Sequence, residues 1–187
     1  MIIMLLSLIQ NRTMIKLLDK KHNRNDFDCG KELLNNYLKI QAGQDIKRKL
    51  CACFVLAEDE TGCVKGYYTL SNNSIPLSCF PEHIKRKFPQ SYESIPTTLL
   101  GRLAIDKKYK GEGLGKILLI DALRRSYEIS KEIGSFAVVV DPIDREAELY
   151  YEKYDFIKLP DSQKMFIAIR TLKELFENLN SSDKCNF

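Results

Sequence analysis

The stretch Arg102-Leu103-Ala104-Ile105-Asp106-Lys107-Lys108-Tyr109-Lys110-Gly111-Glu112-Gly113-Leu114-Gly115-Lys116 decides the fold. A strand pattern over 98–105 runs into a basic turn with three alternating glycines, then into a long helical pattern. Glycines let such a turn close tightly and bring its N–H groups against a ligand, and the helix start adds the positive end of its dipole. With four lysines around it, the segment describes a cradle for a pyrophosphate. A Walker A loop would need glycine at 110 and a hydroxyl residue at 117, where Lys110 and Ile117 stand. A dinucleotide fingerprint would need glycine in place of Lys116. Both patterns fail.

Outward from this segment, alternating elements predict one α/β domain. A short strand over 14–18 precedes Phe27-Asp28-Cys29-Gly30, which leads into a helix carrying Leu33, Leu34, Tyr37, Leu38 and Ala42. Lys47-Arg48-Lys49 closes that region. Strands over 50–57 and 63–72, joined by a turn at 58–62, read as a hairpin in which Gly66 marks a bulge or a close backbone approach. A connection from Pro76 to Pro96 holds a short basic helix over 82–87. Beyond the glycines, Leu114, Leu118, Ala122, Ile129 and Ile133 predict one helix face, stopped by Gly134. The apolar run 136–140 reads as a buried strand. Asp141-Pro142 opens a helix to about Tyr154, and a strand over 164–169 precedes a helix from Thr171.

Composition bounds the rest. The chain has 187 residues, 44% of them hydrophobic, and a net charge of +4, which permits an anionic partner without demanding one. Six cysteines without a CxxC pair argue against a disulfide scaffold or a zinc site and for a reducing, cytoplasmic setting. No apolar run approaches the ~18–20 residues of a membrane span. Residues 1–13 start apolar but lack a signal peptide's basic segment and small-residue cleavage site. They read as an upstream extension from a mis-assigned start, with an edge strand or oligomer contact as the alternative. The domain then occupies 14–180, with a tail over 181–187.

The cradle resembles motif A of the GCN5-related N-acetyltransferases (GNAT), Arg/Gln-x-x-Gly-x-Gly/Ala, matched here by Lys110, Gly113 and Gly115. Lysine at the first position keeps the charge and loses the planar side chain. The segment Ala147-Glu148-Leu149-Tyr150-Tyr151-Glu152-Lys153-Tyr154-Asp155-Phe156 resembles the family's A-x-x-F-Y-E-x-F-G-F, with Asp155 where glycine is common. Asp155 must then adopt a left-handed conformation. The resemblance implies an α/β GNAT fold: a central mixed β-sheet flanked by helices, with the acetyl-CoA pyrophosphate loop at the N-terminus of the helix after the fourth strand. It implies cofactor contacts from Leu103, Ala104, Ile105, Lys110, Gly111, Gly113, Leu114, Gly115 and Lys116. Tyr151 becomes the acid that protonates the departing thiolate, as a phenol protonated at neutral pH can. Tyr150 and Tyr154 read as packing residues.

FDCGKELLNNYLKIQAGQD, GYYTLSNNSIP, IPTTLLGRLAIDKKYKGEGLGKILLIDALRRS and AELYYEKYDF, in that order, are similar to the acetyltransferase toxins of bacterial toxin–antitoxin pairs. Those enzymes acetylate the α-amino group of aminoacyl-tRNA and stop translation. The resemblance implies acetyl-CoA as co-substrate, no metal, a ribbon-helix-helix antitoxin and a homodimer. A free α-amino group has a pKa of about 7.7–8.0, so the reaction needs no strong base; His22 and His83, in polar or basic loops, read as solvated. Arg102, beside the acetyl site, is a substrate-site candidate. Lys47-Arg48-Lys49, Lys85-Arg86-Lys87, Lys107-Lys108 and Arg124-Arg125 are either solvated charge or an RNA-tracking surface. The cysteines read as structural. Two other readings stay open: an acetyltransferase acting on a small amine or a protein N-terminus, and a non-catalytic acetyl-CoA-binding module.

Overall fold

The computed structural model describes residues 15–183, with side chains to Asn178. The expected extension over 1–13 and the last residues of the tail lie outside the described residues. Seven strands form one mixed sheet: β1 Ile15–Leu17, β2 Ala52–Ala57, β3 Val64–Pro76, β4 Ser94–Ile105, β5 Ala137–Val140, β6 Ile157–Lys158 and β7 Met165–Ala168. Their order is β1-β2-β3-β4-β5-β7-β6. The helices are α1 Glu32–Asn36, α2 Ala42–Lys47, α3 Glu82–Lys85, α4 Leu114–Ser130, α5 Arg145–Glu152 and α6 Ile169–Asp183. A π-helical turn, Tyr37–Gln41, joins α1 to α2. The chain divides into two compact units, residues up to Ser71 with Arg102–Leu123, and Asn72–Gly101 with Arg124 onward.

In the first unit β1 and β2 pair antiparallel, Ile15 opposite Leu56 and Leu17 opposite Phe54. The β2–β3 register runs from Ala52 opposite Leu70 to Leu56 opposite Gly66, then shifts so that Ala57 faces Val64. Lys65 is thus an extra residue, a β-bulge. Both expectations for Gly66 hold, because a Cβ there would run into Ile105 and Leu118 and come within 3.0 Å of the Ala104 carbonyl. Phe27, Tyr37, Leu38, Ala42, Cys53, Val55, Tyr67 and Ala104 bury one apolar cluster. Each large side chain so buried contributes about 1.5–3 kcal/mol. Leu33 is a correction: it is 72% exposed. Leu34, Tyr37 and Leu38 take the inward positions at spacings of three and four, and Leu33 lies off that stripe.

In the second unit β4 and β5 pair parallel, Thr97 opposite Ala137 through Leu100 opposite Val140. The intervening α4 supplies the crossover that parallel neighbours require. β5 pairs antiparallel with β7, and β7 with β6. The core here is aromatic: Phe80 meets Phe136 and Phe166 edge-on at 5.7 and 5.4 Å, and Phe88 meets Phe136 at 5.0 Å. Such pairs add about 0.5–1.5 kcal/mol beyond area burial.

Several boundaries differ from the sequence expectation. β3 and β4 absorb both ends of the connection between them, carrying Pro76 as a last residue and Pro96 near a start, where proline is tolerated. α4 ends at Ser130, Gly134 carries no positive φ, and Ile129 and Ile133 are 47% and 62% exposed. Leu118 and Ala122 are fully buried as expected, whereas Ile129 lies in the last turn of α4 and Ile133 beyond its end. Leu119, Leu123 and Tyr127 widen the buried face. α5 starts at Arg145 rather than at Asp141-Pro142, with the Asp144 carboxylate accepting the N–H of Ala147 at 2.9 Å. α6 starts at Ile169, two residues before the expected Thr171.

Candidate active site

The cradle begins where β4 ends. Asp106 is buried and caps the one-turn helix Lys107–Tyr109, accepting the N–H of Lys108 at 2.8 Å through Oδ1 and that of Asp28 at 2.9 Å through Oδ2. The N–H of Lys107 donates to the Asp28 carbonyl at 2.8 Å, and that of Asp106 to the Lys65 carbonyl at 2.9 Å. The Asp28 carboxylate pairs with Lys107 and accepts the N–H of Gly30 and the amide of Asn35, both at 2.9 Å. Led by the Lys107 bond, these partners hold its carboxyl far below the usual carboxylate range, and Lys107 is raised in return. Asp28, Asn35 and Asp106 escaped the sequence reading. The signal present was an aspartate two residues before a turn amide, a common capping arrangement.

Beyond this anchor, Gly111 and Gly113 take φ of +90° and +78°, with open space where a Cβ would point. The glycines serve conformation, then, not close packing. Gly115 sits inside the first turn of α4 without a positive φ. Among the described residues the N–H groups of Gly111, Gly113, Leu114 and Gly115 find no acceptor in the chain. Lys110 is exposed, Lys116 half-buried, and neither makes an ion pair among the described residues. Free amides at a helix start beside unpaired lysines fit an anion such as a pyrophosphate. Leu103 and Ile105 are half-buried and Ala104 is buried in the strand just before.

Next in β4, Arg102 lays its guanidinium carbon 3.5 Å from the ring centroid of Tyr37. Tyr37, which the sequence reading counted only as a core position, is buried in the π-helical turn. It stacks with Tyr67 at 6.3 Å and meets the Cys51 sulfur through its hydroxyl at 3.2 Å.

In the other unit, α5 carries the tyrosines. Tyr151 is 8% exposed, and burial pushes its phenol upward, so it is protonated at neutral pH. Its ring meets Tyr150 at 5.5 Å and Phe156 at 5.2 Å. Tyr150 also meets Tyr154 at 5.1 Å, while its own hydroxyl is buried without a hydrogen-bond partner among the described residues. Asp155 takes φ +62°, as the resemblance required, and the N–H of Phe156 returns to the Tyr151 carbonyl at 3.3 Å to close the helix end.

Burial raises the Cys53 thiol to about 12 and pushes that of Cys29 up, the opposite of an activated nucleophile. His22 is not simply solvated: its Nδ1 accepts the N–H of Asp19 at 3.0 Å. His83 is exposed on α3. Lys47, Arg48 and Lys49 are exposed, whereas Lys85 pairs with Glu82 and Lys107 with Asp28. Among the described residues no group of three or more His, Cys, Asp or Glu could hold a metal ion, and no helix is long and apolar enough to cross a membrane.

No family model matches the chain. It is 35% identical over 130 residues, 70% of this chain and 75% of the relative, to the tRNA-acetylating toxin of Mycobacterium tuberculosis. It is 32% identical over 164 residues, 83% of this chain and 90% of the relative, to a Sinorhizobium fredii protein named "Probable toxin TacT". Among solved structures, a tyrosine-to-phenylalanine variant of KacT superimposes with a TM-score of 0.81 at 28% identity, covering 86% of this chain and 97% of that one. AtaT complexed with acetyl-methionyl-tRNAfMet gives 0.80 at 28%, covering 87% and 98%. A tyrosine-to-phenylalanine variant of AtaT, bound to the C-terminus of the antitoxin AtaR and to acetyl-CoA, gives 0.74 at 26%, covering 87% and 96%.

Proposed function

The chain belongs to the family of tRNA-acetylating toxins, and from that premise we propose that it transfers acetyl from acetyl-CoA to the α-amino group of aminoacyl-tRNA and so blocks translation. The observation that carries this reading is the pair of left-handed glycines, Gly111 and Gly113, leading into unbonded amides at the start of α4. Those amides, with Lys110 and Lys116, hold the pyrophosphate. Leu103, Ala104 and Ile105 hold the pantetheine arm along β4, and their N–H groups meet the developing oxyanion. Acetyl-CoA supplies the acyl group as a thioester.

The acceptor amine attacks the thioester carbonyl and the carbon–sulfur bond breaks. Tyr151 gives its phenolic proton to the departing sulfur and regains one from the nitrogen, which ends as an amide. The Tyr151 phenol is protonated across the neutral range and so has a proton to give. The tyrosine-to-phenylalanine variants among the solved KacT and AtaT structures support looking for the acid among tyrosines. Arg102, next to Leu103 in β4, is the residue assigned to the acceptor. These roles draw on no metal ion.

The AtaT structures support two partners for this chain, a tRNA and an antitoxin. The finer reading is a ribbon-helix-helix antitoxin, a homodimeric toxin and a cytoplasmic site of action. The test is incubation with labelled acetyl-CoA and charged tRNA. Label should enter the RNA fraction and leave it as N-acetyl amino acid on mild alkaline treatment. Label found only in protein or polyamine would overturn the proposal.

A further inference from the structure

We propose that Arg102, held flat on the ring of Tyr37, binds a phosphodiester at the 3′ end of the acceptor RNA, an inference that rests on the transferase reading above. A guanidinium that stacks by its face keeps its in-plane N–H fork free, and that fork matches two oxygens of a phosphate. Among the described residues the Arg102 side chain makes no ion pair and no hydrogen bond; its guanidinium carbon lies 3.5 Å from the centroid of the Tyr37 ring. The buried carboxylate in this region, Asp45 on α2, is engaged by Gln41 at 3.5 Å instead. A half-buried cation left without an anion is costly unless water or a ligand completes it.

The ring beneath it is fixed. Tyr37 stacks with Tyr67, whose hydroxyl donates to the Leu34 carbonyl at 2.8 Å, and the Tyr37 hydroxyl meets Cys51. Tyr37 is therefore a positioning residue: it sets the plane and direction of the fork. Arg102 directly precedes Leu103, Ala104 and Ile105, the strand positions assigned to the thioester arm. In an aminoacyl ester the α-carboxylate is esterified, so apart from an acidic side chain the anions an acceptor can offer beside its reactive amine are phosphodiesters.

The test is steady-state acetylation of aminoacyl-tRNA by the full chain over a range of salt concentrations. Arg102→Gln should raise the KM for aminoacyl-tRNA about tenfold or more, as loss of a charge-assisted fork does. It should leave the KM for acetyl-CoA within about twofold. It should also make the dependence of log KM on log salt shallower by roughly 0.7, the share of one phosphate contact to a single strand. Tyr37→Leu should reproduce the KM rise, and Tyr37→Phe, which keeps the ring, should restore most of the loss. Arg102→Lys, with the charge but no planar fork, should fall between. An unchanged salt slope would overturn the proposal, as would a rise in the KM for acetyl-CoA instead. If the unaltered protein acetylates an amine other than aminoacyl-tRNA, the transferase substrate is wrong and the phosphodiester falls with it. A normal rate on aminoacyl-tRNA with Arg102→Gln refutes the phosphodiester alone.

Discussion

Asp28 and Asp106, 78 residues apart, lock together: the Asp106 carboxylate accepts the N–H of Asp28 at 2.9 Å, and the Asp28 carbonyl accepts the N–H of the next residue, Lys107, at 2.8 Å. Asp106 also caps Lys108, so Asp106→Ala strands two amides at once. Leaving a buried donor unsatisfied costs about 1–3 kcal/mol. We expect a clear fall in Tm and weaker acetyl-CoA binding by calorimetry, because the turn loses its anchor. Asp106→Asn, whose amide oxygen still accepts, should lose less. Equal effects of the two variants would contradict this account.

The same lock predicts an acid limb. The Asp28 carboxyl is held low by the Lys107 bond first, then by Gly30 and Asn35. A carboxyl depressed in the folded state contributes stability that is fully present above its unfolded pKa of about 3.9 and is lost as pH falls through the folded value. Acid unfolding of Asp28→Asn should therefore show a shallower loss of stability below about pH 4. An NMR titration of the Asp28 carboxyl with an ordinary aspartate midpoint would refute the lock.

Gly111→Ala and Gly113→Ala should each cost about 1–2 kcal/mol, because both hold positive φ that L side chains reach only under strain. Space is not the issue, since nothing lies within 4 Å of either added Cβ. If the turn relaxes instead of unfolding, the cost appears as acetyl-CoA affinity lowered roughly tenfold. Gly115→Ala, inside α4, should leave Tm equal or slightly higher, as alanine favours a helix interior. Thermal melts with and without acetyl-CoA separate the two effects.

Tyr151→Phe should lower kcat by about 10²–10⁴, the usual share of a positioned proton donor. Acetyl-CoA binding should survive, and expression of the variant should no longer arrest growth. Tyr150→Phe should leave kcat near that of the unaltered protein, since among the described residues the Tyr150 hydroxyl has no well-formed hydrogen bond to lose. Reversal of that order would move the acid one residue back.

The parts of the fold legible in the sequence are those whose cause is local. The turn at 111–115 announced itself through glycines, and Asp155 through its place after a helical aromatic pair; both take the backbone they required. The strand expectation stops at Asn72 because Asn73 and Ser74 carry loop chemistry. They extend β3 with their side chains outward or half-buried, and Ile75 returns to the core. The short β6 has two exposed residues and no apolar signal of its own; it exists because β7 offers it a pairing edge. In the site, Tyr37 was legible as a core residue but not as a platform, because the cation it carries lies 65 positions away in the sequence. Pairings of that kind need the sheet to exist first.

The π-helical turn at Tyr37–Gln41 gives the α1–α2 region an insertion-like phase offset. Trimming one residue from it would leave an ordinary helix that hydrogen-bonds as well as before. Because a π-turn accommodates one residue more than the α-helical turn it replaces, the residues after it, Ala42 and Asp45 among them, would keep their inward face. Length variation here would thus be silent for secondary structure and for the face that follows, and felt within the turn that carries the aromatic platform, so a screen of single-codon deletions across this turn should separate folding from acceptor selection more cleanly than substitution does.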